Sequence, residues 1–267
     1  MRVSFFKYQG TGNDFILVDD REKTFPANNK KIIAQLCHRR FGIGADGLIL
    51  LQKDETHSFY MQYFNSDGSE STMCGNGGRC ISRFAFDLGI VQNDFIFTAI
   101  DGPHQAIIRE NTIVSLQMKE VHEVSIEANN SFVLNTGSPH YVKFINDSIT
   151  SIDVVEEARK IRYSDRFAKE GINVNFVQIM EDGSLAVRTY ERGVEDETYS
   201  CGTGVTASAI AHGYLHPREF APHVVRLGTP GGALRVAYEK HENHITDVWL
   251  EGPASFVFHG MVDVVVE

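Results

Sequence analysis

Two stretches of the sequence begin with nearly the same phrase, Cys74-Gly75-Asn76-Gly77 and Cys201-Gly202-Thr203-Gly204. Each phrase follows a polar, acidic segment and opens an apolar run that is long enough for a helix. A cysteine just before a helix start is close to the positive end of the helix dipole and to backbone N–H groups, and both favour a thiolate. The two copies therefore predict a chain of two similar halves, each with one reactive thiol.

Further segments repeat at nearly the same interval, which indicates an internal duplication. Gly10-Thr11-Gly12-Asn13-Asp14-Phe15 resembles Thr136-Gly137-Ser138-Pro139-His140-Tyr141, and Gly42-Ile43-Gly44 resembles Gly171-Ile172-Asn173. The interval is about 127 residues, far longer than the repeats of solenoid proteins. It predicts two similar domains of mixed α and β structure, with a boundary in the polar stretch 119–131.

Hydrophobic patterns predict many short strands and only four helices. The helical patterns cover residues 29–41, 77–88, 152–161 and 204–215. Short apolar or alternating runs predict strands at 2–8, 15–18, 48–51, 59–64, 95–98, 105–109, 113–118, 132–134, 141–145, 174–180, 185–190, 224–227, 234–238, 245–250 and 261–266. In the first helix the apolar face is predicted to run from Ile33 to Phe41.

Composition excludes several classes of partner. The 267 residues carry a formal net charge of −10 and have no long basic run, so we expect no nucleic-acid groove. No apolar run of about 18 residues predicts a membrane span, and the first ten residues contain no secretory apolar segment. The four cysteines are too few and too irregularly spaced for a disulfide framework, so we expect a reducing, cytoplasmic setting.

The duplicated thiols suggest proton transfer at a carbon atom. Two helix N-termini directed at one point would bind an amino-acid carboxylate and stabilise the charge that builds on it as the α-proton leaves. A thiolate on one face could take that proton while a thiol on the other face returns one. This chemistry is racemisation or epimerisation, and it needs no cofactor.

Other uses of the cysteines must be weighed against this one. Cys74 and Cys80 do not have the spacing of a zinc knuckle, and no histidine is near them in sequence, so we expect no metal. Cys37 and Cys80 lie on apolar helix faces and are predicted to be core residues. Cys74 and Cys201 could instead form a switching disulfide, which would leave neither sulfur able to accept a proton.

The chain resembles the diaminopimelate epimerase family over nearly its whole length. Six groups of residues carry this resemblance, namely Gly12-Asn13-Asp14-Phe15, Phe64-Asn65-x-Asp67-Gly68-Ser69, Met73-Cys74-Gly75-Asn76-Gly77-Gly78-Arg79-Cys80, Gly137-x-Pro139-His140, Asn173-Val174, and Tyr190-Glu191-Arg192-Gly193 with Cys201-Gly202-Thr203-Gly204. The resemblance implies a cofactor-free enzyme, commonly a homodimer, that interconverts LL- and meso-2,6-diaminopimelate for lysine and peptidoglycan synthesis.

The resemblance also implies an α+β fold of two pseudo-symmetric domains. Each would be a mostly antiparallel, β-barrel-like sheet around a central helix, with the active site in the cleft between them. In the family the last strand packs with the first domain. We therefore predict an N-terminal domain of residues 1–120 plus 255–267, and a C-terminal domain of residues 121–254.

Roles for individual residues follow from the same resemblance. Cys74 and Cys201 would be the two acid/base thiols. Substrate would be bound by the amides of Gly75, Asn76, Gly202 and Thr203 and by the side chains of Asn13, Asn65, Asn173, Glu191 and Arg192, while His140 and Glu191 would tune the thiols. Ser138 and Gly47 depart from the residues common in the family, Asn and Gln, and could alter fine specificity.

Three rival readings remain at the level of the sequence. A proline or hydroxyproline racemase would share the fold and the two thiols, but would not need Asn65, Asn173 and Arg192 for a distal amino-acid group. An isomerase of the phenazine-biosynthesis type would share the fold, and both cysteines argue against it. A non-catalytic relative is disfavoured because both thiols and most polar partners are present.

Overall fold

The computed structural model describes residues 1–110, 112–128, 130–216, 223–242 and 244–264. The chain forms two compact units. Unit 1 comprises Met1–Leu116 and Gly252–Glu267, and unit 2 comprises Gln117–Glu251. The domains predicted from the sequence divide after residues 120 and 254, and positions 265–267 of the predicted last segment lie outside the described residues.

The described residues of the first half of the chain form eight strands and two helices. In chain order they are β1 (Arg2–Gly10), β2 (Asn13–Asp19), α1 (Lys30–Cys37), β3 (Gly47–Gln52), β4 (Tyr60–Asn65), β5 (Glu70–Ser71), α2 (Gly75–Asp87), β6 (Asp94–Ala99), β7 (Gly102–Ile108) and β8 (Ile113–Gln117). The helix α2 begins directly after Cys74.

The second half repeats this order of elements. It contains β9 (Val124–Glu127), β10 (Ser131–Asn135), β11 (Pro139–Phe144), a short 3-10 helix (Ile149–Ser151), α3 (Val154–Arg162), β12 (Asn173–Ile179), β13 (Leu185–Glu191), β14 (Asp196–Thr198), α4 (Gly202–Leu215), β15 (His223–Thr229), β16 (Gly232–Lys240), β17 (Ile245–Pro253) and β18 (Ser255–Asp263). The helix α4 begins directly after Cys201.

Strand pairing shows that the same sheet is built twice. In unit 1, β18, β1, β2, β3 and β4 pair in that order, and only β2 and β3 are parallel. The strand β4 also pairs with β5 and, in parallel, with β6, and β6, β7 and β8 continue antiparallel. In unit 2, β9 to β13 repeat the first series and β13 to β17 repeat the second, again with two parallel pairs.

Each unit wraps its sheet around one central helix. In unit 1, α2 contacts β1, β2, β3 and β7, and in unit 2, α4 contacts β10, β11, β12, β13, β15 and β16. Small residues allow this close packing, since a Cβ atom at Gly204 would lie 2.3 Å from Asn175 Oδ1. Large apolar residues such as Ile210 and Phe84 are fully buried, and each contributes about 1.5–3 kcal/mol to stability. The predicted fold class is confirmed.

The structure corrects several details of the sequence prediction. The strands β5, β9 and β14 were not predicted, and β9 lies within the stretch that was read as a polar boundary. The helix α1 ends at Cys37, because His38 is already extended at φ −68° and ψ 122°. The prediction that Phe41 continues the apolar face of this helix is therefore wrong, and Phe41 is 81% exposed. Strand β18 begins at Ser255, before the predicted start at residue 261.

Across the described ranges, no helix has both the length and the apolar character that a membrane span requires.

Candidate functional site

Each unit carries one cysteine at the N-cap of its central helix. Cys74 precedes α2 at φ −96° and ψ 131°, and Cys201 precedes α4 at φ −114° and ψ 112°. Neither side chain caps its own helix. The first N–H groups of a helix have no acceptor within the helix, and the dipole adds positive potential there. Each thiol therefore lies where an anion is stabilised.

In unit 1, the amide of Asn13 lies between Cys74 and a carboxylate. Its Oδ1 is 3.8 Å from Cys74 Sγ and accepts a hydrogen bond of 3.3 Å from Asn76 Nδ2. Its Nδ2 donates to Asp46 Oδ2 at 2.5 Å. The structure thus brings Asn13 and Asn76, both predicted site residues, to the thiol of unit 1. It adds Asp46, a residue that is signalled in the sequence only by the glycine-rich loop before it.

A fully buried guanidinium lies one turn into α2. Arg79 Nη2 donates to Asn76 Oδ1 at 2.9 Å and to Thr11 Oγ1 at 3.1 Å, and Nη1 donates to the carbonyl of Gly75 at 3.3 Å. Within the described residues it has no carboxylate partner, and its Nε has no hydrogen bond. Burial lowers the pKa of Arg79, while the neighbouring thiols Cys80 and Cys74 act to raise it.

Four charged residues next to Asn13 are joined by ion pairs. Arg39 Nη2 bonds Asp14 Oδ1 at 2.7 Å and Asp46 Oδ1 at 2.5 Å, and Lys7 Nζ bonds Asp14 Oδ2 at 2.7 Å. Partial burial opposes the ionisation of Asp14, but the hydrogen bonds from Arg39 and Lys7 outweigh it and lower its pKa to about 2. Asp14 is therefore a carboxylate at any physiological pH.

In unit 2, a hydroxyl stands between the thiol and a histidine. Thr203 Oγ1 is 3.4 Å from Cys201 Sγ and 2.9 Å from His140 Nε2. Ser138 Oγ is 3.0 Å from the same nitrogen and 3.1 Å from Thr203 Oγ1. His140 and Thr203 were predicted at the site from the sequence, and the structure brings both of them to Cys201.

The hydrogen bonds of His140 fix its proton on Nε2. The ring is fully buried, and burial, aided by the charge of Arg192, lowers its pKa to about 3, so it is neutral. Asn175 Nδ2 donates to His140 Nδ1 at 3.1 Å, while Asn175 Oδ1 accepts from Thr189 Oγ1 at 2.9 Å. Because Nδ1 is an acceptor, Nε2 carries the hydrogen and donates to Thr203 Oγ1. The Thr203 hydroxyl hydrogen can then point to the Cys201 sulfur.

Asn173 links this cluster to the turn that carries Arg192. Its Nδ2 donates to Ser138 Oγ at 3.2 Å and to Pro139 O at 3.0 Å, and its Oδ1 accepts from the backbone N–H of Arg192 at 2.8 Å. Arg192 is exposed and donates from Nη1 to Glu170 O at 2.9 Å.

The remaining predicted residues lie at strand ends. Glu191 Oε1, at the end of β13, accepts from Thr198 Oγ1 at 2.6 Å. Asn65 is half-buried at the end of β4, opposite Gly47. A Cβ atom at Gly47 would lie 2.6 Å from both Phe64 O and Tyr63 Cε2. The Phe64 carbonyl and the Tyr63 ring therefore leave no space for a larger residue at position 47, where the family can have Gln.

The other two cysteines are structural. Cys37 and Cys80 are buried, and burial raises the pKa of each thiol to about 12. The prediction that they are core residues is confirmed. None of the four cysteines, all of which are described, forms a disulfide bond. Among the residues whose positions are given, no three His, Cys, Asp or Glu side chains are grouped to hold a metal ion.

A family model described as diaminopimelate epimerase matches residues 5–123 and 132–257. The chain belongs to the diaminopimelate epimerase family. It is 52% identical to the diaminopimelate epimerase of Flavobacterium psychrophilum, over 96% of this chain and 98% of that protein. It is 36% identical to the diaminopimelate epimerase of Aquifex aeolicus, over 97% of each chain. The family resemblance drawn from the motifs is therefore confirmed.

Solved structures of other families share the fold at low sequence identity. A phenazine biosynthesis protein of the PhzF family from Bacillus anthracis has a TM-score of 0.74 at 14% identity, covering 99% of this chain and all of that one. A hydroxyproline epimerase from Agrobacterium vitis has a TM-score of 0.68 at 14% identity, covering 98% of this chain and 92% of that one. At such identities the likeness concerns the fold alone.

Proposed function

We propose that this chain interconverts LL- and meso-2,6-diaminopimelate without a cofactor, and that Cys74 and Cys201 are its two acid/base groups. The observation that carries the proposal is the thiol at the N-terminus of the buried central helix in each unit. Relatives that cover nearly the whole chain are named diaminopimelate epimerase, which supports the substrate.

The proposed reaction removes one proton from the α-carbon of the substrate and returns one proton to it. A thiolate takes the α-proton, so the C–H bond breaks, an S–H bond forms, and the electron pair passes into the carboxylate. The second thiol then gives its proton to the opposite face of the carbon and becomes the thiolate. The total charge is unchanged, and the two sulfurs exchange roles for the substrate of opposite handedness. The pair titrates as one coupled unit.

Backbone N–H groups supply the stabilisation that the carbanion needs. We infer that the amides of Gly75, Asn76, Gly202 and Thr203 bind the reacting carboxylate, because they begin the two helices and no side chain caps either one. Donors that are already oriented cost no reorganisation when charge develops, and each is worth about 2.7–4 kcal/mol in comparable sites.

Polar contacts in unit 2 favour Cys201 as the thiolate. His140 is neutral with its hydrogen on Nε2, so Thr203 can donate to the sulfur. A hydrogen bond to a charged group is worth about 1.5–3 kcal/mol. We therefore propose that His140 acts on Cys201 through Thr203 as a neutral donor and does not itself remove the thiol proton.

The distal end of the substrate requires charged and amide groups. We propose that Arg192 binds the distal carboxylate and that Asn65 and Asn173 help to position the distal amino-acid group, with Glu191 beside them. Arg192 is exposed, and a guanidinium can bind a carboxylate through two parallel hydrogen bonds. A proline racemase would not need this set.

We further propose that the enzyme is a homodimer that supplies meso-diaminopimelate for lysine and peptidoglycan synthesis. Analytical ultracentrifugation would test the dimer, and a monomer at micromolar concentration would refute it. The cytoplasmic location and the absence of nucleic-acid partners stay predictions.

The reaction itself is tested by isotope exchange. LL-diaminopimelate is added to reduced protein in D2O without pyridoxal phosphate, and the α-proton signal and stereoisomers are followed by NMR and chiral chromatography. Deuterium that enters together with meso product supports proton abstraction. Exchange on proline and none on diaminopimelate would instead identify a racemase, and full turnover with a Cys74–Cys201 disulfide would refute the two-thiol mechanism.

A further inference from the structure

In unit 1, the side-chain amides of Asn13 and Asn76 form a chain of hydrogen bonds, with a carboxylate at one end and a guanidinium at the other. At one end, Asn13 Nδ2 faces Asp46 Oδ2 at 2.5 Å. At the other end, Asn76 Oδ1 faces Arg79 Nη2 at 2.9 Å. Between them, Asn76 Nδ2 faces Asn13 Oδ1 at 3.3 Å. Neither Asp46 nor Arg79 takes part in the reaction proposed above.

The charged ends leave only one orientation for both amides. A carboxylate only accepts hydrogen bonds and a guanidinium only donates them. Asp46 therefore requires the nitrogen of Asn13, and Arg79 requires the oxygen of Asn76. The contact between the two amides is then a donor facing an acceptor. Either amide turned by 180° would oppose like groups at two of the three contacts, so the oxygen and nitrogen positions follow from chemistry.

This orientation presents an acceptor to the sulfur of Cys74. Asn13 Oδ1 lies 3.8 Å from Cys74 Sγ, a distance at which it accepts a hydrogen bond from a thiol but repels a thiolate. Unit 2 offers the opposite, since the Thr203 hydroxyl can donate to Cys201 Sγ. The two thiols therefore have contrasting polar partners, although their helix starts are alike.

We propose that Asp46 and Arg79 are positioning residues that hold Asn13 Oδ1 toward Cys74, so that Cys74 rests as the thiol and Cys201 as the thiolate. The catalytic meaning rests on the function proposed above, whereas the orientation itself does not. In the resting enzyme, Cys74 would then be the acid and Cys201 the base. The first turnover would favour the substrate isomer whose α-proton faces Cys201.

Burial makes Arg79 suited to this task. Its side chain is fully enclosed, and its hydrogen bonds run to Gly75 O, Thr11 Oγ1 and Asn76 Oδ1, all within the first turn of α2 or beside it. A buried cation without a carboxylate partner is costly, and its hydrogen bonds to neutral acceptors offset only part of that cost. The orphaned Nε is consistent with a group held for position at some cost in stability.

Several charged groups around Cys74 must be separated from the effect of orientation. The charged and titratable groups on the elements near Cys74 and Asn13 are Asp14 and Asp46 with Arg39 and Lys7, Arg79 and Cys80 in α2, and Asp101 with His104. Asp101 also accepts a hydrogen bond from the N–H of Met73. Removal of any carboxylate here favours a thiolate. The charge of Arg79 also favours a Cys74 thiolate, so Arg79 is replaced only by lysine, which keeps that charge. The test therefore compares two carboxylates bound to the same arginine.

The measured quantity is the pH midpoint of alkylation at each cysteine. Iodoacetamide reacts with the thiolate, and mass spectrometry of the peptides reports Cys74 and Cys201 separately in one sample. Asp46→Ala removes the anchor of Asn13, whereas Asp14→Ala removes a neighbouring carboxylate and leaves that anchor in place. We expect the Cys74 midpoint to fall about one pH unit further in Asp46→Ala than in Asp14→Ala, which is a tenfold faster alkylation below the midpoint. Any shift of the Cys201 midpoint should be in the opposite direction, because the two thiols titrate as a coupled pair.

Equal midpoints for Cys74 in Asp46→Ala and Asp14→Ala would overturn the proposal, as would a wild-type Cys74 that alkylates at lower pH than Cys201. Arg79→Lys keeps the charge but places it on one nitrogen, which cannot span the acceptors that Nη1 and Nη2 share. The hold on Asn76 weakens while Asp46 still fixes Asn13, so the Cys74 midpoint should fall by less than in Asp46→Ala. A wild-type midpoint in Arg79→Lys would remove Arg79 from the proposal. Epimerase activity is measured separately on the wild type. Shifted midpoints without such activity would refute the proposed function and leave the positioning roles intact.

Discussion

Substitution of Thr203 by valine tests the hydrogen-bond chain in unit 2. Valine keeps the shape and branching of threonine but cannot donate to Cys201 Sγ, which is 3.4 Å from the hydroxyl oxygen. The backbone N–H of residue 203, proposed to bind the carboxylate, is retained. A hydrogen bond to a charged acceptor contributes about 1.5–3 kcal/mol, and about 1.4 kcal/mol corresponds to tenfold in rate.

The long distance to sulfur favours the lower end of this range, so we expect kcat/KM to fall by about tenfold to thirtyfold. It should fall equally for LL- and meso-diaminopimelate, because an enzyme cannot change the equilibrium constant between them. Deuterium incorporation, measured in reactions started from each isomer in turn, reports the rate of epimerisation in both directions. Thermal melting of the variant shows whether the fold is retained.

Thr203→Ser is the matched control, because serine keeps the hydroxyl and loses only a methyl group. Its kcat/KM should stay close to that of the wild type. A Thr203→Val enzyme as active as Thr203→Ser would refute the role of the hydroxyl. A valine variant slowed for one isomer alone would point to an error in the assay, since the ratio of the two kcat/KM values is fixed by equilibrium.

Three further outcomes are expected. Cys74→Ala should abolish epimerisation yet spare elimination from a β-halogenated analogue of one configuration, because elimination needs a single base; unchanged epimerisation would refute the assignment of roles. Iodoacetamide at pH 8 should label Cys74 and Cys201 long before Cys37 and Cys80, whose pKa values burial raises to about 12, as peptide mass spectrometry would report. The pKa of Asp14 is lowered to about 2, so its carboxylate should stabilise the fold by about 2 kcal/mol above pH 4. This contribution should disappear as the pH falls through 2. The free energy of unfolding in urea should therefore be lower for Asp14→Asn than for the wild type at pH 7, and the two values should converge in acid.

The duplicated arrangement could be predicted because short motifs recur in the same order in the two halves of the sequence. Two Cys-Gly-x-Gly phrases at one interval predict two matching helix starts, and the structure has α2 and α4 there. Short strands such as β5 (Glu70–Ser71) carry no periodic pattern, since two residues cannot alternate. The strand β5 forms because a turn after β4, in which Gly68 N–H donates to Asn65 O at 2.9 Å, returns the chain alongside Tyr63 and Phe64. The end of α1 was missed because an apolar residue, Phe41, continued the helical spacing beyond it.

The side chains near each thiol were predicted where a motif named them and missed where tertiary pairing brought them in. His140 and Thr203 stand in recognisable motifs. Asn175 does not, and it reaches His140 because β11 and β12 pair in parallel with His140 opposite Asn173. Asp46 likewise approaches Asn13 through the parallel pair β2 and β3, whose register sets Phe15 opposite Gly47. Register is a property of the folded sheet, and no local pattern in the sequence states it.

Parallel pairing of equivalent strands therefore explains how the two cysteines have different polar neighbours although the two units are similar. In each unit, a polar residue in the second strand of the pair or just before it bonds the side chain that orients the polar contact of the cysteine. In unit 1 that residue is the carboxylate of Asp46, which turns an acceptor of Asn13 toward sulfur. In unit 2 it is the amide of Asn175, which turns a donor of His140 toward Thr203. The two-base mechanism proposed above needs one thiol and one thiolate, and the divergence of these two positions is the contrast by which we propose that a duplicated fold meets this need.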